Sequence, residues 1–233
     1  MPIATPREPT EVRRAFADWL TRRTGTPVEV SSFEPPRGGG LSSETFLAAT
    51  TLDGVATRLV LRLPPHGDGL FPRYDLATQA RVLQVLRDAT NVPVPSVFAY
   101  EDDAGPLGAP FLVMHHADGR IPTDQPPFLA TGWVHDLAPD DQRTLQRSFL
   151  ATVADIHRVD WAAIGLDDLA RPGPGSPLGR DLAWWSAYLE WAADGAPVAT
   201  TRRAFAWCEE QRPAREPAPS LLWGDVRMPN VVF

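Results

Sequence analysis

The sequence is poor in cysteine, in positive charge and in long apolar runs, and each shortage excludes a class of protein. The single cysteine among 233 residues, Cys208, excludes an intrachain disulfide framework and a zinc site of the CxxC type. There are 22 Lys and Arg against 29 Asp and Glu, so the formal net charge is −7. Such a charge argues against a general nucleic-acid or anionic-membrane surface, and we expect neither partner.

Targeting and membrane-spanning segments are also missing from the sequence. No apolar run approaches the roughly 20 residues that a membrane helix needs, and the opening MPIATPREPTEVRR lacks the apolar core of a secretory signal. These shortages predict a cytoplasmic protein. A hydrophobic fraction of 43% with 22% charged residues is typical of a globular chain, and the length suffices for one large domain or two lobes around a cleft.

The first half of the chain predicts strands with two helices among them. A helix capped by Thr10 should run to about Arg23 and end before Gly25, and Asp75 should cap the helix LATQARVLQVLRDAT. Strands are predicted from alternating or short apolar runs bounded by Gly and Pro; these are PVEVSSFEP, SSETFLAATT, GVATRLVLRLPP, VPVPSVFAYED and FLVMHH.

The second half predicts helices and then a short polar loop. In DDQRTLQRSFLATVADIHRVDW, apolar residues recur at helical spacing, namely Leu145, Phe149, Val153 and Ile156. RDLAWWSAYLEWAADG and ATTRRAFAWCEEQR predict two more helices. In the closing LLWGDVRMPNVVF, the runs 221–223 and 231–233 predict short buried strands, and the turn between them would present Asp225 and Asn230.

The order of these parts matches the arrangement of kinase-type phosphoryl transfer. Such enzymes place a Gly-rich turn over the phosphates, a cation on the third strand, an acidic residue on the next helix, and an Asp followed five residues later by an Asn. The reaction needs positioning and charge neutralisation more than covalent chemistry. The Asp accepts the proton of the acceptor hydroxyl, and the Asn holds magnesium on the phosphates.

Six segments in this order, each weak alone, resemble the aminoglycoside phosphotransferase family, in particular its bacterial branch that is similar to the kinase-like domain fused to some acyl-CoA dehydrogenases. They are GGGLSSETF, LVLRLPP, LATQARVL, PFLVMHHADGR, IHRVDW and LLWGDVRMPNVVF. The resemblance implies an α+β, protein-kinase-like fold of two lobes, with ATP as phosphate donor and Mg²⁺ as its metal. It implies an N-terminal helix at 1–27, a nucleotide-binding N-lobe at 28–113, a hinge at 114–118 and a helical C-lobe at 119–233.

The resemblance also assigns roles to individual residues. Asp225 matches the catalytic base, and Asn230 matches a magnesium ligand. The turn that covers the nucleotide would comprise Gly38, Gly39, Gly40, Ser42 and Ser43. The hinge that touches adenine would comprise Met114, His115 and His116.

Three positions depart from the family's pattern. Trp223 stands where His is usual, Arg62 where the third-strand Lys is expected, and Gln79 where its Glu partner is expected. Arg remains cationic and grips phosphate with a planar fork, and Gln79 could accept one of its hydrogen bonds. We therefore expect an ATP- and magnesium-dependent kinase that acts on a small-molecule hydroxyl. The alternative is a non-catalytic pseudokinase that serves as a nucleotide-binding regulatory module.

Trp184, Tyr188 and Trp191 share one face of a predicted helix. They form either part of the core or a wall of the acceptor pocket. An aminoglycoside would require a carboxylate-rich pocket, whereas an aromatic wall suits a less cationic or acyl-bearing alcohol. The acceptor therefore stays open between an aminoglycoside, a hydroxyacyl-CoA and another small alcohol, and an aromatic-lined binder that uses no nucleotide is a third possibility.

The end of the sequence raises a separate expectation. VVF resembles an interior strand, and kinase-type sites hold magnesium with a second Asp that follows the loop Asn. The resemblance places that Asp beyond Phe233. We therefore expect a truncated chain with an incomplete C-lobe. The sequence does not predict an oligomeric state.

Overall fold

The computed structural model describes residues 7–36, 42–67 and 69–233. Its helices and strands follow the predicted order. The helices are α1 (Pro9–Thr24), α2 (Leu76–Ala89), α3 (Pro139–Arg158), α4 (Pro177–Ala193) and α5 (Ala199–Glu210), with 3₁₀ turns at Asp167–Leu169 and Met228–Asn230. The strands are β1 (Val30–Glu34), β2 (Glu44–Leu52), β3 (Val55–Leu63), β4 (Val97–Glu101) and β5 (Phe111–His115).

The strands form one antiparallel sheet in the order β1-β2-β3-β5-β4. β2 and β3 are joined by the two-residue turn Asp53–Gly54, in which both φ angles are positive, 49° and 78°. Such turns match the right-handed twist of a hairpin, and Asp-Gly is a favoured pair for them. The hairpin sets the register in which Arg62 lies opposite Thr45 on one side and Leu112 on the other.

The sheet is covered on both faces because its apolar side chains alternate. On one face α1 buries Phe16 and Trp19, and the Trp19 ring meets Phe111 edge-on at 4.9 Å. On the opposite face α2 packs Leu76 and Ala80 against strand β5. These two layers fix the position of β3, which carries Arg62.

The helices after β5 form a second layer with fewer buried residues. The predicted apolar face of α3 is present, but Ile156 is its one fully buried residue, and α4 and α5 bury none. Several contacts tie this layer to the sheet lobe. Arg81 on α2 donates to both Asp168 carboxylate oxygens at 2.8 and 2.7 Å, and the Tyr188 hydroxyl donates to the Leu70 carbonyl at 2.8 Å. The α+β, two-lobed prediction is confirmed.

The predicted helix caps are partly correct. Asp75 caps α2, since its carboxylate accepts from the Thr78 N–H at 2.8 Å. Gly25 ends α1 with φ 74°, the left-handed conformation that glycine adopts freely. Thr10 is not the cap of α1: the helix starts one residue earlier, because Pro9 suits the first helical position and leaves Glu8 as the N-cap.

The two short strands predicted around Asp225 are wrong. Residues 221–223 and 231–233 are irregular, and neither run is buried, with Leu222 62% and Val232 39% exposed. A strand needs a partner along its length. In this region one residue pair alone makes the reciprocal bonds: Arg120 N–H to the Phe233 carbonyl at 2.8 Å and Phe233 N–H to the Arg120 carbonyl at 2.9 Å.

Among these described ranges, no helix combines the length and apolar character required to span a membrane.

Candidate active site

The loop that carries Asp225 and Asn230 brings the two side chains into contact. The Asn230 side-chain amide donates to the backbone carbonyl of Asp225 at 2.9 Å and to its Oδ2 at 3.0 Å. The 3₁₀ turn Met228–Asn230 folds the chain back to make this possible. Asp225 is exposed. The sequence predicted a tight loop that carries both residues, and the structure has this loop without the supporting strands.

Arg227 is a further charged group in this loop, which the sequence analysis did not single out. Its Nε donates to Oδ2 of Asp225 at 3.1 Å, and its Nη1 donates to Oδ2 of Asp124. The hydrogen bond to Asp225, followed by that to Asp124, raises the pKa of Arg227 above its usual value. The sequence could have pointed to Arg227, because this cation follows the candidate base by two residues. It could not have pointed to Asp124, which lies 103 positions from Arg227.

Residues 119–133, which we call the post-hinge segment, run beside the Asp225 loop. Besides the backbone bonds of Arg120 with Phe233, the Trp133 ring lies 6.3 Å from the Phe233 ring. Gly119 has φ 151°, and a Cβ there would lie 2.4 Å from the Phe233 carbonyl oxygen. Only glycine permits this close approach, so the segment and the end of the loop are packed backbone against backbone.

Arg62 lies where a phosphate-binding cation is expected. Its Nη2 donates to the Ser43 hydroxyl at 3.0 Å, because the β2–β3 hairpin places both side chains at one end of the sheet. Burial lowers the pKa of Arg62 from its usual value. No carboxylate within the described ranges pairs with it. A half-buried cation without a counter-ion costs free energy that the negative charge of a ligand would offset.

Of the other predicted phosphate-site residues that the structure describes, Ser43 alone forms a hydrogen bond with Arg62. Gln79 is exposed, and no hydrogen bond joins it to Arg62 in the part of the chain described, so the pairing we expected is absent. Ser42 is half-buried beside Ser43. Gly38, Gly39 and Gly40 lie outside the described residues.

The hinge residues use their backbone N–H groups within the protein. The N–H of His115 donates to the Ser96 carbonyl at 2.9 Å, and that of His116 donates to the Arg58 carbonyl at 3.0 Å. Met114 is buried, whereas His115 is exposed. Burial, helped by the charge of Arg58, lowers the pKa of His116. Neither backbone N–H can therefore donate a hydrogen bond to an adenine ring without a local rearrangement of the chain.

The aromatic residues of α4 do not form core. The rings of Trp184 and Tyr188 stack at 5.7 Å, and Trp191 follows at 5.6 Å from Tyr188. Phe71, from the loop after β3, lies 6.0 Å from Tyr188. Because α4 has no fully buried residue, the core interpretation is wrong, and the rings form a partly exposed surface between the lobes. Phe71 and Trp185 belong to the same cluster and were not among the predicted site residues.

Charges around this aromatic surface are paired. The Arg171 guanidinium lies 3.9 Å from the centroid of the Trp184 ring and also binds Asp181. Glu190 is held by two hydrogen bonds from Arg202, at 2.9 and 2.7 Å. The carboxylates of α4 are thus already neutralised.

The side chain of Asn230 offers an oxygen that could bind magnesium in the Asp225 loop. Because the Asn230 amide nitrogen faces Asp225, its Oδ1 is the free end of the side chain. Magnesium is usually bound by one or two protein oxygens together with substrate phosphates and water, so Asn230 fits this role. Within the described ranges, no group of three or more His, Cys, Asp or Glu could hold a metal.

Two relatives by sequence bear names of dehydrogenases. The chain is 30% identical over 216 residues to "Probable acyl-CoA dehydrogenase IBR3" of Arabidopsis thaliana, covering 90% of this chain and 25% of that protein. It is 28% identical over 174 residues to acyl-CoA dehydrogenase family member 11 of Gallus gallus, covering 75% of this chain and 21% of that protein. The chain thus spans about a quarter of the length of these relatives.

A solved structure shares the fold. It is named as an aminoglycoside phosphotransferase from Ralstonia eutropha JMP134, with a TM-score of 0.62 and 23% identity over 94% of this chain and 60% of that one. The model of the phosphotransferase enzyme family matches residues 34–233, which include Arg62, Asp225 and Asn230. This chain therefore belongs to the phosphotransferase enzyme family.

Proposed function

We propose that the protein transfers the terminal phosphoryl group of ATP, with Mg²⁺, to a hydroxyl of a small molecule in the cytoplasm. The observation that carries this proposal is the geometry of Asp225. Asn230 and Arg227 both bond its Oδ2, so its Oδ1 is left to accept the proton of an attacking hydroxyl. Family membership and the kinase-like fold support the same reaction.

The phosphates are assigned to Arg62 and the turn before β2. Arg62 is half-buried and donates to Ser43, and its remaining N–H groups can form charge-assisted bonds to phosphate oxygens. Magnesium, when bound, would neutralise phosphate charge. Asn230 Oδ1 would hold the ion, and Asp225 would orient the acceptor and take its proton.

The adenine is assigned to the hinge at Met114, His115 and His116. Because the N–H groups of both histidines are already donated within the protein, we assign recognition to hinge carbonyl oxygens and to apolar contact with side chains.

The acceptor is assigned to the aromatic surface formed by Trp184, Tyr188 and Trp191. The structural neighbour is named for aminoglycosides, which are polycations and would need free carboxylates. Here Asp181 and Glu190 are each paired with an arginine. The surface therefore favours an uncharged or weakly charged alcohol with an apolar or aromatic part.

Two observations favour a second candidate, a nucleotide-binding module without catalysis. Gln79 is exposed and makes no bond to Arg62 in the described structure, so the cation lacks the helix partner of active kinases. Trp223 also replaces the usual histidine before the Gly-Asp pair.

A nucleotide-dependence experiment distinguishes the two. The protein is incubated with Mg²⁺ and γ-labelled ATP together with a panel containing an aminoglycoside, an aliphatic alcohol and an aromatic alcohol. If the proposal is correct, labelled alcohol or labelled free phosphate forms with Mg²⁺, and neither product forms when EDTA removes the metal. ATP binding without any transfer or hydrolysis would favour the module, and no ATP binding would contradict both.

A further inference from the structure

We propose that Asp124 and Arg227 are positioning residues, which hold the Asp225 carboxylate in its working orientation by anchoring the loop to the post-hinge segment. The inference rests on the proposed function, since Asp225 is taken as the base. It adds an element outside the loop to the machinery of the reaction. It gives Asp124 a role although this residue makes no described contact with Asp225 itself.

The geometry of the guanidinium carries the first step. The guanidinium of Arg227 is planar. Its Nε donates a hydrogen bond to Asp225, and its Nη1 donates one to Asp124. Fixing two nitrogens of a planar fork fixes its plane. The direction from which Oδ2 of Asp225 receives its hydrogen bond is then set by where Asp124 stands.

The second step is that Asp124 stands on a fixed support. Four residues before it, Arg120 exchanges two backbone hydrogen bonds with Phe233, and Gly119 lies too close to Phe233 to admit a side chain. The loop and the residues after it are therefore held at two points: residue 233 is joined by backbone hydrogen bonds to the post-hinge segment, and residue 227 is joined to the same segment by an ion pair.

The exposure of the pair indicates positioning rather than stability. The side chains of Arg227 and Asp124 are 45% and 50% exposed, and ion pairs this open contribute little to global stability. A small displacement of a catalytic group, by contrast, can cost up to about 100-fold in rate. The pair should therefore matter for turnover while hardly changing the melting temperature.

A competing role for Arg227 is direct binding of the ATP phosphates. Asp124 would then compete with the nucleotide for the guanidinium. Removing the Asp124 charge would leave ATP binding unchanged or improve it, and removing Arg227 would raise the KM for ATP more than it lowers kcat. The two roles thus predict opposite patterns in kcat and KM.

A double-mutant cycle tests the inference. Asp124→Asn, Arg227→Ala and the double variant are compared in kcat and in KM for ATP, with Asp155→Asn as control, because Asp155 is also an exposed carboxylate paired with an arginine, at 3.1 Å. We expect each single variant to lower kcat by roughly 10- to 100-fold with KM nearly unchanged. The double variant should match Arg227→Ala, and Arg227→Lys should recover part of the rate.

Two results would overturn the inference from kinetics. The first is a fold-loss in kcat of the double variant that equals the product of the fold-losses of the two single variants. It would show that Asp124 does not act through Arg227. A rise in KM for ATP with kcat retained in Arg227→Ala would assign the arginine to phosphate binding.

Hydrogen exchange tests the anchor without using activity. The N–H groups of Val226, Asn230 and Val231 are bonded within the loop, and Asp124→Asn should raise their exchange rates severalfold, whereas Asp155→Asn should not. Unchanged exchange would overturn the anchor whatever the kinetics. If the intact protein transfers no phosphate but exchange responds as expected, the proposed function fails and the anchor stands.

Discussion

At the scale of single residues, Arg62 is the charge whose surroundings most clearly require a ligand. It is half-buried, donates to Ser43 and has no carboxylate partner among the described residues. An anion brought by a substrate would stabilise a cation of this kind. The same position could carry a lysine, but a lysine would offer a point charge in place of a fork.

Replacing Arg62 should therefore weaken ATP binding. We expect Arg62→Ala to lose roughly 10-fold or more in ATP affinity, the size of one charge-assisted bond, and Arg62→Lys to recover part of it. Arg87→Ala serves as control, because it removes an exposed arginine of α2. Calorimetric titration with Mg-ATP measures all four proteins. Equal affinities would remove Arg62 from the nucleotide site.

Asp75 gives a prediction about pH. Its bonds with the Thr78 N–H and hydroxyl lower the pKa of its carboxyl in the folded state. A group with a depressed folded pKa stabilises the protein above its unfolded pKa, and the contribution is lost as the pH falls through the folded value. Asp75→Ala should therefore cost about 1 kcal/mol of unfolding free energy at pH 7, and less at pH 3, which lies below the ordinary pKa of the carboxyl.

Urea unfolding at the two pH values measures this difference, with Asp88→Ala as control from the exposed end of the same helix. A cost for Asp75→Ala that is the same at pH 7 and pH 3 would show that the carboxylate charge is not what caps α2.

The residues of the candidate site could be predicted from the sequence to the extent that they are local. Asp225 and Asn230 are five apart, and a tight loop brings them together. The pairing of Arg227 with Asp124 could not be predicted, because it depends on how the chain returns after 103 residues. The hydrogen bond expected between Arg62 and Gln79 is absent from the described structure. It too is a tertiary contact, which depends on the orientation of α2 relative to the sheet.

At the scale of elements, apolar periodicity and turn residues predicted all five helices and the sheet strands, although α4 and α5 have no fully buried residue. It failed for 221–223 and 231–233, where apolar composition suggested strands. A strand also requires a partner along its length, and in the described structure Phe233 pairs with Arg120 alone. Helical spacing put the aromatic residues of α4 on one face and left open whether that face is core or a pocket wall; it lies at a partly open junction between the lobes.

That junction depends on Tyr188, which links α4 to the loop after β3. Tyr188→Phe keeps the ring stack with Trp184 but removes the hydroxyl that bonds the Leu70 carbonyl. We expect a loss of about 0.5–1.5 kcal/mol in unfolding free energy, measured by urea titration. Tyr100→Phe, whose hydroxyl bonds the exposed Asp102, should lose less. A larger loss for the control would contradict the assignment.

Gly119 tests how tightly the post-hinge segment packs on residue 233. Gly119→Ala should cost about 1–3 kcal/mol, because it adds strain at φ 151° and a clash with the Phe233 carbonyl. Gly132→Ala is the control, since it also has a positive φ, 90°, but no atom within 4 Å of the added Cβ. If thermal unfolding shows equal losses, the close approach is not a constraint.

At the scale of the whole molecule, the two lobes meet through the hinge and a few side-chain contacts, among them Arg81 with Asp168 and Tyr188 with Leu70. Arg62 lies in the sheet lobe, and the Asp225 loop lies in the helical part, so a nucleotide bridging them would join the lobes. This division is what the family's two-lobed fold predicts, and it assigns binding and proton transfer to different parts of the chain.

The central claim is that Asp225 acts on the reacting hydroxyl, and the direct measurement compares Asp225→Asn with the intact protein and with Asp155→Asn. Phosphoryl transfer from labelled ATP gives turnover, and calorimetry gives ATP affinity. We predict that turnover falls by roughly 100- to 10,000-fold in Asp225→Asn alone, with ATP affinity nearly unchanged in all three proteins. Full turnover in a folded Asp225→Asn protein would contradict the account.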